Sequence, residues 1–168
     1  MSDRSNSSHL PNLWDVAKAT NMSEDERLVY RSNLLGSDMR VTNFGGGNTS
    51  SKILQSDPLS GDEVEVLWVK GSGGDVGTIK LDGFSTLYME KLQALKGIYR
   101  GLEFEDEMVG YLPHCTFHLH PRAASIDTPL HAYVPHQVLY NIHPTAILLI
   151  TTSTASTPRP PALSAHRL

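Results

Sequence analysis

Apolar residues follow two rhythms along the chain, helical spacing and strict alternation, and the changes between them mark out the expected elements. After a Ser/Asn-rich start, Leu13-Trp14-Asp15-Val16-Ala17 opens a short helix. From Ser23, with Glu24, Asp25 and Glu26 in the first turn, the spacing predicts a capped helix through Arg27, Leu28, Tyr30 and Leu34 that stops at Gly36. Arg40 to Phe44 reads as a strand entering Gly45-Gly46-Gly47, with Thr49 to Leu54 as its return. A turn at Asp57 to Asp62 precedes the alternating strand Val64 to Val69, a glycine loop over 71–77 and a further strand from Thr78 to Leu81. Phe84, Leu87, Leu92, Leu95, Ile98 and Leu102 keep helical spacing, which predicts one helix capped by Asp82 or Ser85. Asp106 to Leu112 adds a helical turn, and Asp127 to Tyr133 a short helix with Pro129 in its first turn. Val138 to Ile142 and Ala146 to Ile150 read as core strands. Elements in this order imply an α/β layered domain on a mainly antiparallel or mixed sheet.

A chain of 168 residues, 39% apolar, suits one compact domain. Its net charge of −4 offers no basic face, which argues against nucleic acid or a membrane surface as partner and leaves room only for a small phosphate. The longest apolar run, Ala146 to Ile150, is far short of the ~20 residues that span a bilayer. A single cysteine, Cys115, and a start without an exporting apolar stretch point to a reduced, cytoplasmic protein. Beyond Thr151 the sequence has no acidic residue and carries Pro158, Pro160 and Pro161, the composition of a disordered tail. The resulting plan is a flexible segment over 1–22, a folded domain over 23–150 and an aberrant tail over 151–168, in a chain that reads as cut short.

Candidate chemistry begins with the histidines, since six of the eight fall between His114 and His143. Crowded imidazoles suit a divalent metal, though separate hydrogen-bonded or surface roles explain His114, His131 and His136 as well. Gly45-Gly46-Gly47-Asn48-Thr49-Ser50 could bring backbone N–H groups, an amide and hydroxyls to a small phosphate, or be a flexible hairpin turn. Gly71, Gly73 and Gly77 follow a strand as in a dinucleotide fold, but no helix is expected to open on them. Neither glycine run ends in the Gly-Lys-Ser/Thr of a P-loop. His118-Leu119-His120 has the spacing of alternate side chains on a strand, Cys115 reads as a small buried hydrophobe, and Trp14 and Trp68 need only packing roles. Glu103, Glu105, Asp106 and Glu107 read as a solvated face.

Four motifs in order carry a resemblance: Gly47-Asn48-Thr49-Ser50, Gly71-Ser72-Gly73, Ser125-Ile126-Asp127-Thr128-Pro129-Leu130-His131 and Asn141-Ile142-His143-Pro144. Together they resemble the class II aldolase/adducin family over roughly Ser23 to Ile150, most nearly the aldolase part of bifunctional rhamnulose-1-phosphate aldolase/short-chain dehydrogenase proteins. The resemblance implies a three-layer α/β/α sandwich and assembly as a homo-oligomer, a tetramer in the family. It also implies zinc-dependent cleavage of a sugar phosphate, a ketose 1-phosphate such as rhamnulose 1-phosphate, to dihydroxyacetone phosphate and lactaldehyde. By motif, Asp127 is the acid/base, and Gly47, Asn48, Ser72, Gly73 and Ser125 hold the phosphate. The family's His-x-His zinc pair reads Asn141-Ile142-His143 here, so the resemblance leaves Zn2+ an incomplete site at His143 and Asn141 and implies weak or absent activity. The alternative it implies is a non-catalytic, adducin-like association domain.

Overall fold

A computed structural model describes residues 11–119 and 122–144. The first ten residues, His120-Pro121, the expected strand Ala146 to Ile150, the tail from Thr151 and His166 lie outside the described residues.

Helix α1 (Val16–Thr20) starts where the Asp15 carboxylate accepts the Lys18 N–H at 3.1 Å. Helix α2 (Glu24–Gly36) starts as its acidic first turn predicts, with the Glu26 carboxylate accepting the Ser23 N–H at 2.9 Å. Strands β1 (Asn48–Ser56), β2 (Glu63–Lys70), β3 (Phe84–Tyr88) and β4 (Val138–Asn141) form an antiparallel sheet in the order β3-β2-β1-β4. Register places Ser50 opposite both Val69 and Leu139. At the far end of the sheet, Asp57 closes the β1–β2 turn by accepting the Leu59 and Ser60 N–H groups and the Tyr88 hydroxyl.

Alternation assigns the two faces of this sheet. Thr49 and Ile53 point with Val66 and Trp68 toward α2, where Leu28, Ile79, Phe84 and Phe117 complete one cluster. Leu67 and Val69 point the other way, into a larger cluster with Leu87, Met89, Leu92, Met108, Leu112, Cys115 and Ala132. That second layer consists of α3 (Met89–Ala94), α4 (Glu105–Tyr111) and α5 (Thr128–Tyr133). The architecture is therefore the expected α/β/α sandwich, and burying about ten apolar side chains on one face alone contributes on the order of 15–30 kcal/mol before entropy is counted.

Three expected elements are corrected. Arg40 to Phe44 is a chain of turns, because the Val41 and Thr42 N–H groups bond the Asp38 carbonyl while Asp38 grips the Arg40 guanidinium. Thr78 to Leu81 is also turn, held by Asp75, and passes into a 3-10 turn at Leu81–Gly83. The single helix over Phe84 to Leu102 is instead strand β3, helix α3 and a 3-10 turn at Leu95–Gly97. Phe84-Ser85-Thr86-Leu87-Tyr88 is aromatic and β-branched, and pairing with β2 outweighs the helical spacing it shares with the residues after it. His118 lies in a bend rather than on a strand. Cys115 is buried as expected, and burial pushes its thiol pKa up.

Because the strands alternate in direction, β1 and β3 begin at the same end of the sheet where β2 and β4 finish. Both glycine bends emerge at that end.

Candidate functional site

The first bend is built by a glycine that no other residue replaces easily. Gly47 has φ +74°, and a Cβ there would lie 2.8 Å from Thr42 Oγ1 and 3.1 Å from the Asn141 carbonyl. Its N–H donates to His143 Nδ1 at 3.1 Å, while the His143 carbonyl accepts the Asn43 N–H at 3.2 Å. Directly beside it Asn48 stands opposite Asn141 in the β1–β4 register. The Asn48 side chain is buried, and neither its oxygen nor its nitrogen has a hydrogen-bond partner among the described residues. A buried amide with both ends unmet is ready for a ligand that accepts and donates.

The second bend is tied to the first and to the segment before α5. Gly45 N–H donates to Asp75 Oδ1 at 2.9 Å, which bridges the two glycine runs. Ser72 N–H donates to the Ala123 carbonyl at 3.0 Å, and Gly71 bridges to Ala124. Ser72 and Gly73 are exposed, with Gly73 at φ +75°. Two residues past this junction the Ser125 hydroxyl accepts the Asp127 N–H at 3.3 Å and lies 3.5 Å from its carboxylate. Asp127 takes the N-cap position of α5 without a side-chain cap bond, so its carboxylate is not consumed by the helix.

Two cations join this group that the sequence reading passes over. Lys70 closes β2 at 5% exposure, and burial pushes its ammonium pKa down while Asp127 and Asp75 oppose the shift. The Arg122 guanidinium reaches the Ser72 carbonyl at 3.4 Å and adds to the lowering at Lys70. The signal was present in the order of residues: a lysine ends an apolar strand directly before Gly-Ser-Gly-Gly.

Gly47, Asn48, Asn141 and His143 thus form one group and Ser72, Ser125 and Asp127 another, joined through Gly45 and Asp75. Asp127 has no hydrogen bond to Asn141 or His143 among the described residues. Among the described residues, by contrast, the histidines of that run have separate surroundings. His114 and His136 are exposed, and His118 packs edge-on against Phe117 with ring centroids 4.5 Å apart. His131 is buried, its Nδ1 2.7 Å from Ser50 Oγ, and burial brings its pKa from 6.5 to about 4 against the opposing charge of Asp127.

Zinc fits this donor set poorly. With Nδ1 accepting the Gly47 N–H, the neutral His143 ring carries its proton on Nε2, whereas a ligating imidazole turns its second nitrogen to an acceptor. Asn141 offers a neutral amide, a weak zinc donor. Among the described residues no group of three or more His, Cys, Asp or Glu side chains could hold a metal ion.

Known proteins agree with the fold. No family model matches the chain. It is 46% identical over 140 residues to an uncharacterized oxidoreductase, YuxG, of Bacillus subtilis strain 168, a match covering 82% of this chain and 20% of that protein. The chain thus spans about a fifth of the length of that relative. Among solved structures, the N-terminal class II aldolase domain of a conserved protein from Thermoplasma acidophilum superposes with a TM-score of 0.74 at 34% identity, over 87% of this chain and 66% of that one. The chain thus has the fold of a class II aldolase domain, to which it is similar in sequence at 34% identity.

Proposed function

We propose that this chain is the sugar-phosphate-binding part of a carbon–carbon lyase that cleaves a ketose 1-phosphate, rhamnulose 1-phosphate being the first candidate, to dihydroxyacetone phosphate and lactaldehyde. The observation that carries this reading is the convergence of both glycine bends, Lys70 and Asp127 at one end of the sheet. The Gly73 backbone and the Asn48, Ser72 and Ser125 side chains hold the phosphate, with Gly47 shaping the bend beside them and Lys70 and Arg122 balancing the charge. Cleavage moves the electrons of the carbon–carbon bond into an enediolate as the departing carbinol gives its proton to the Asp127 carboxylate and becomes the aldehyde. Asp127 then hands a proton to the enediolate carbon, which yields dihydroxyacetone phosphate.

The family's zinc would spread the enediolate charge as a Lewis acid. The Asn141 and His143 donors do not amount to such a centre, so metal dependence requires donors beyond the described residues. That shortfall favours the second reading, a binding domain of the same fold with little turnover of its own.

Calorimetry with dihydroxyacetone phosphate, alongside turnover of rhamnulose 1-phosphate with and without added Zn2+, tests both. Millimolar or tighter binding that weakens at least tenfold in Lys70→Met is expected, equivalent to ~1.4 kcal/mol or more. Absence of binding by the wild-type protein would overturn the sugar-phosphate reading. Binding without turnover at any zinc level would select the binding domain over the lyase.

A further inference from the structure

On the opposite face of the sheet, away from Asn48 and Asp127, lies a cavity of about 350 Å³ that the reading above does not use. The register fixes which face this is. Tyr140 pairs with Thr49, Thr49 lies 2.7 Å from the Ser32 hydroxyl of α2, and Arg31 precedes Ser32 on that helix. Leu13, Trp14, Leu34 and Leu35 make most of the wall apolar, and Arg31 and Tyr140 bring the polar groups.

Arg31 is the anomaly. Its Nε and Nη2 are buried, and among the described residues neither donates a hydrogen bond. The one carboxylate at this cavity, Asp38, is committed elsewhere: it accepts both the backbone N–H and the guanidinium of Arg40, and that pair holds its pKa at about 2. Two guanidinium nitrogens removed from water without an acceptor among the described residues are costly, and the planar fork of N–H donors matches a carboxylate. The wall around it excludes a highly hydrated ion and favours an apolar body.

We propose that this cavity binds a small monocarboxylate with an apolar or aromatic body, its carboxylate paired with Arg31 and its body against Trp14, Leu34 and Leu35. The volume suits a molecule of about ten non-hydrogen atoms, a modest filling for a pocket of this kind. Because Trp14 is part of the wall, its fluorescence reports occupancy directly.

Benzoate is the probe, with benzamide as its neutral counterpart of the same shape. In the full chain, benzoate is expected to change Trp14 emission saturably and to raise the Tm, while benzamide at equal concentration does neither. Arg31→Met is expected to abolish the benzoate effect and, by removing an uncompensated buried cation, to raise the Tm without ligand by roughly 2–4 °C. Trp14→Phe keeps the cavity and should retain the Tm response while losing the emission change. Equal responses to benzoate and benzamide would overturn the proposal, as would an Arg31→Met protein that melts lower than wild type, since the guanidinium would then already be paired within the fold.

Discussion

Ser50 spends its hydroxyl on a histidine sealed beneath the sheet, and that pairing makes one residue report on solution pH. His131 titrates near 6.5 in the unfolded chain and at about 4 in the fold, because burial penalises the imidazolium more than Asp127 relieves it. The unfolded chain therefore takes up the proton first as pH falls. Stability is fully present above 6.5, and it is lost progressively as pH drops from 6.5 toward 4, by up to about 1.4 kcal/mol per pH unit. His131→Gln keeps a partner for Ser50 and removes the titration. Urea unfolding of both proteins at neutral pH and near the lower end of that window is expected to show a shallower loss in the variant; identical losses would mean that another group governs the acid limb. Residues with more than one demand on them were the hardest to read from sequence. Arg31 occupies a position that any solvated helix arginine would fill, and only the wall of Trp14, Leu34 and Tyr140 sets it apart.

At the scale of elements, legibility tracked how local the decision was. Helix α2 was readable because Ser23, its acidic turn and Gly36 lie within one short stretch and decide its ends among themselves. Strands β1 and β2 and helix α5 likewise followed from alternation and from the acid that opens α5, whereas β4 is a strand as expected but only half-buried rather than in the core. Strand β3 did not, since Phe84 and Leu87 fit a helix and a strand equally and the choice is made by β2, a partner outside the window. The candidate site divides similarly. Its motifs were visible, but the linkage through Asp75 and the burial of Lys70 exist only once separate loops meet. The local claim can be measured: Glu26→Ala removes the acceptor of the Ser23 N–H and a charge suited to the helix start, at an expected cost of roughly 0.5–1 kcal/mol in urea unfolding. A larger loss would show that Glu26 has a tertiary role beyond its own turn.

Across the whole molecule, Asp75 is the tie that sets one glycine bend against the other, with one oxygen on Gly45 N–H and the second on the Thr78 hydroxyl. Asp75→Ala is expected to leave both sheet faces intact, to speed hydrogen exchange at the Gly45 amide, and to weaken dihydroxyacetone phosphate binding about tenfold, or ~1.4 kcal/mol. Unchanged affinity with faster exchange would mean that the ligand uses one bend alone. The first bend has a further dependence, for Gly47 meets His143 only when β4 has paired with β1 from the opposite end of the described chain. Strands β1, β2 and β3 are neighbours in sequence and close short loops, whereas this last pairing closes a long one at a larger cost in chain entropy. A polypeptide emerging from the ribosome can thus have three strands assembled while the bend at Gly47 still lacks His143, and the proposed phosphate cradle closes only once β4 has been made.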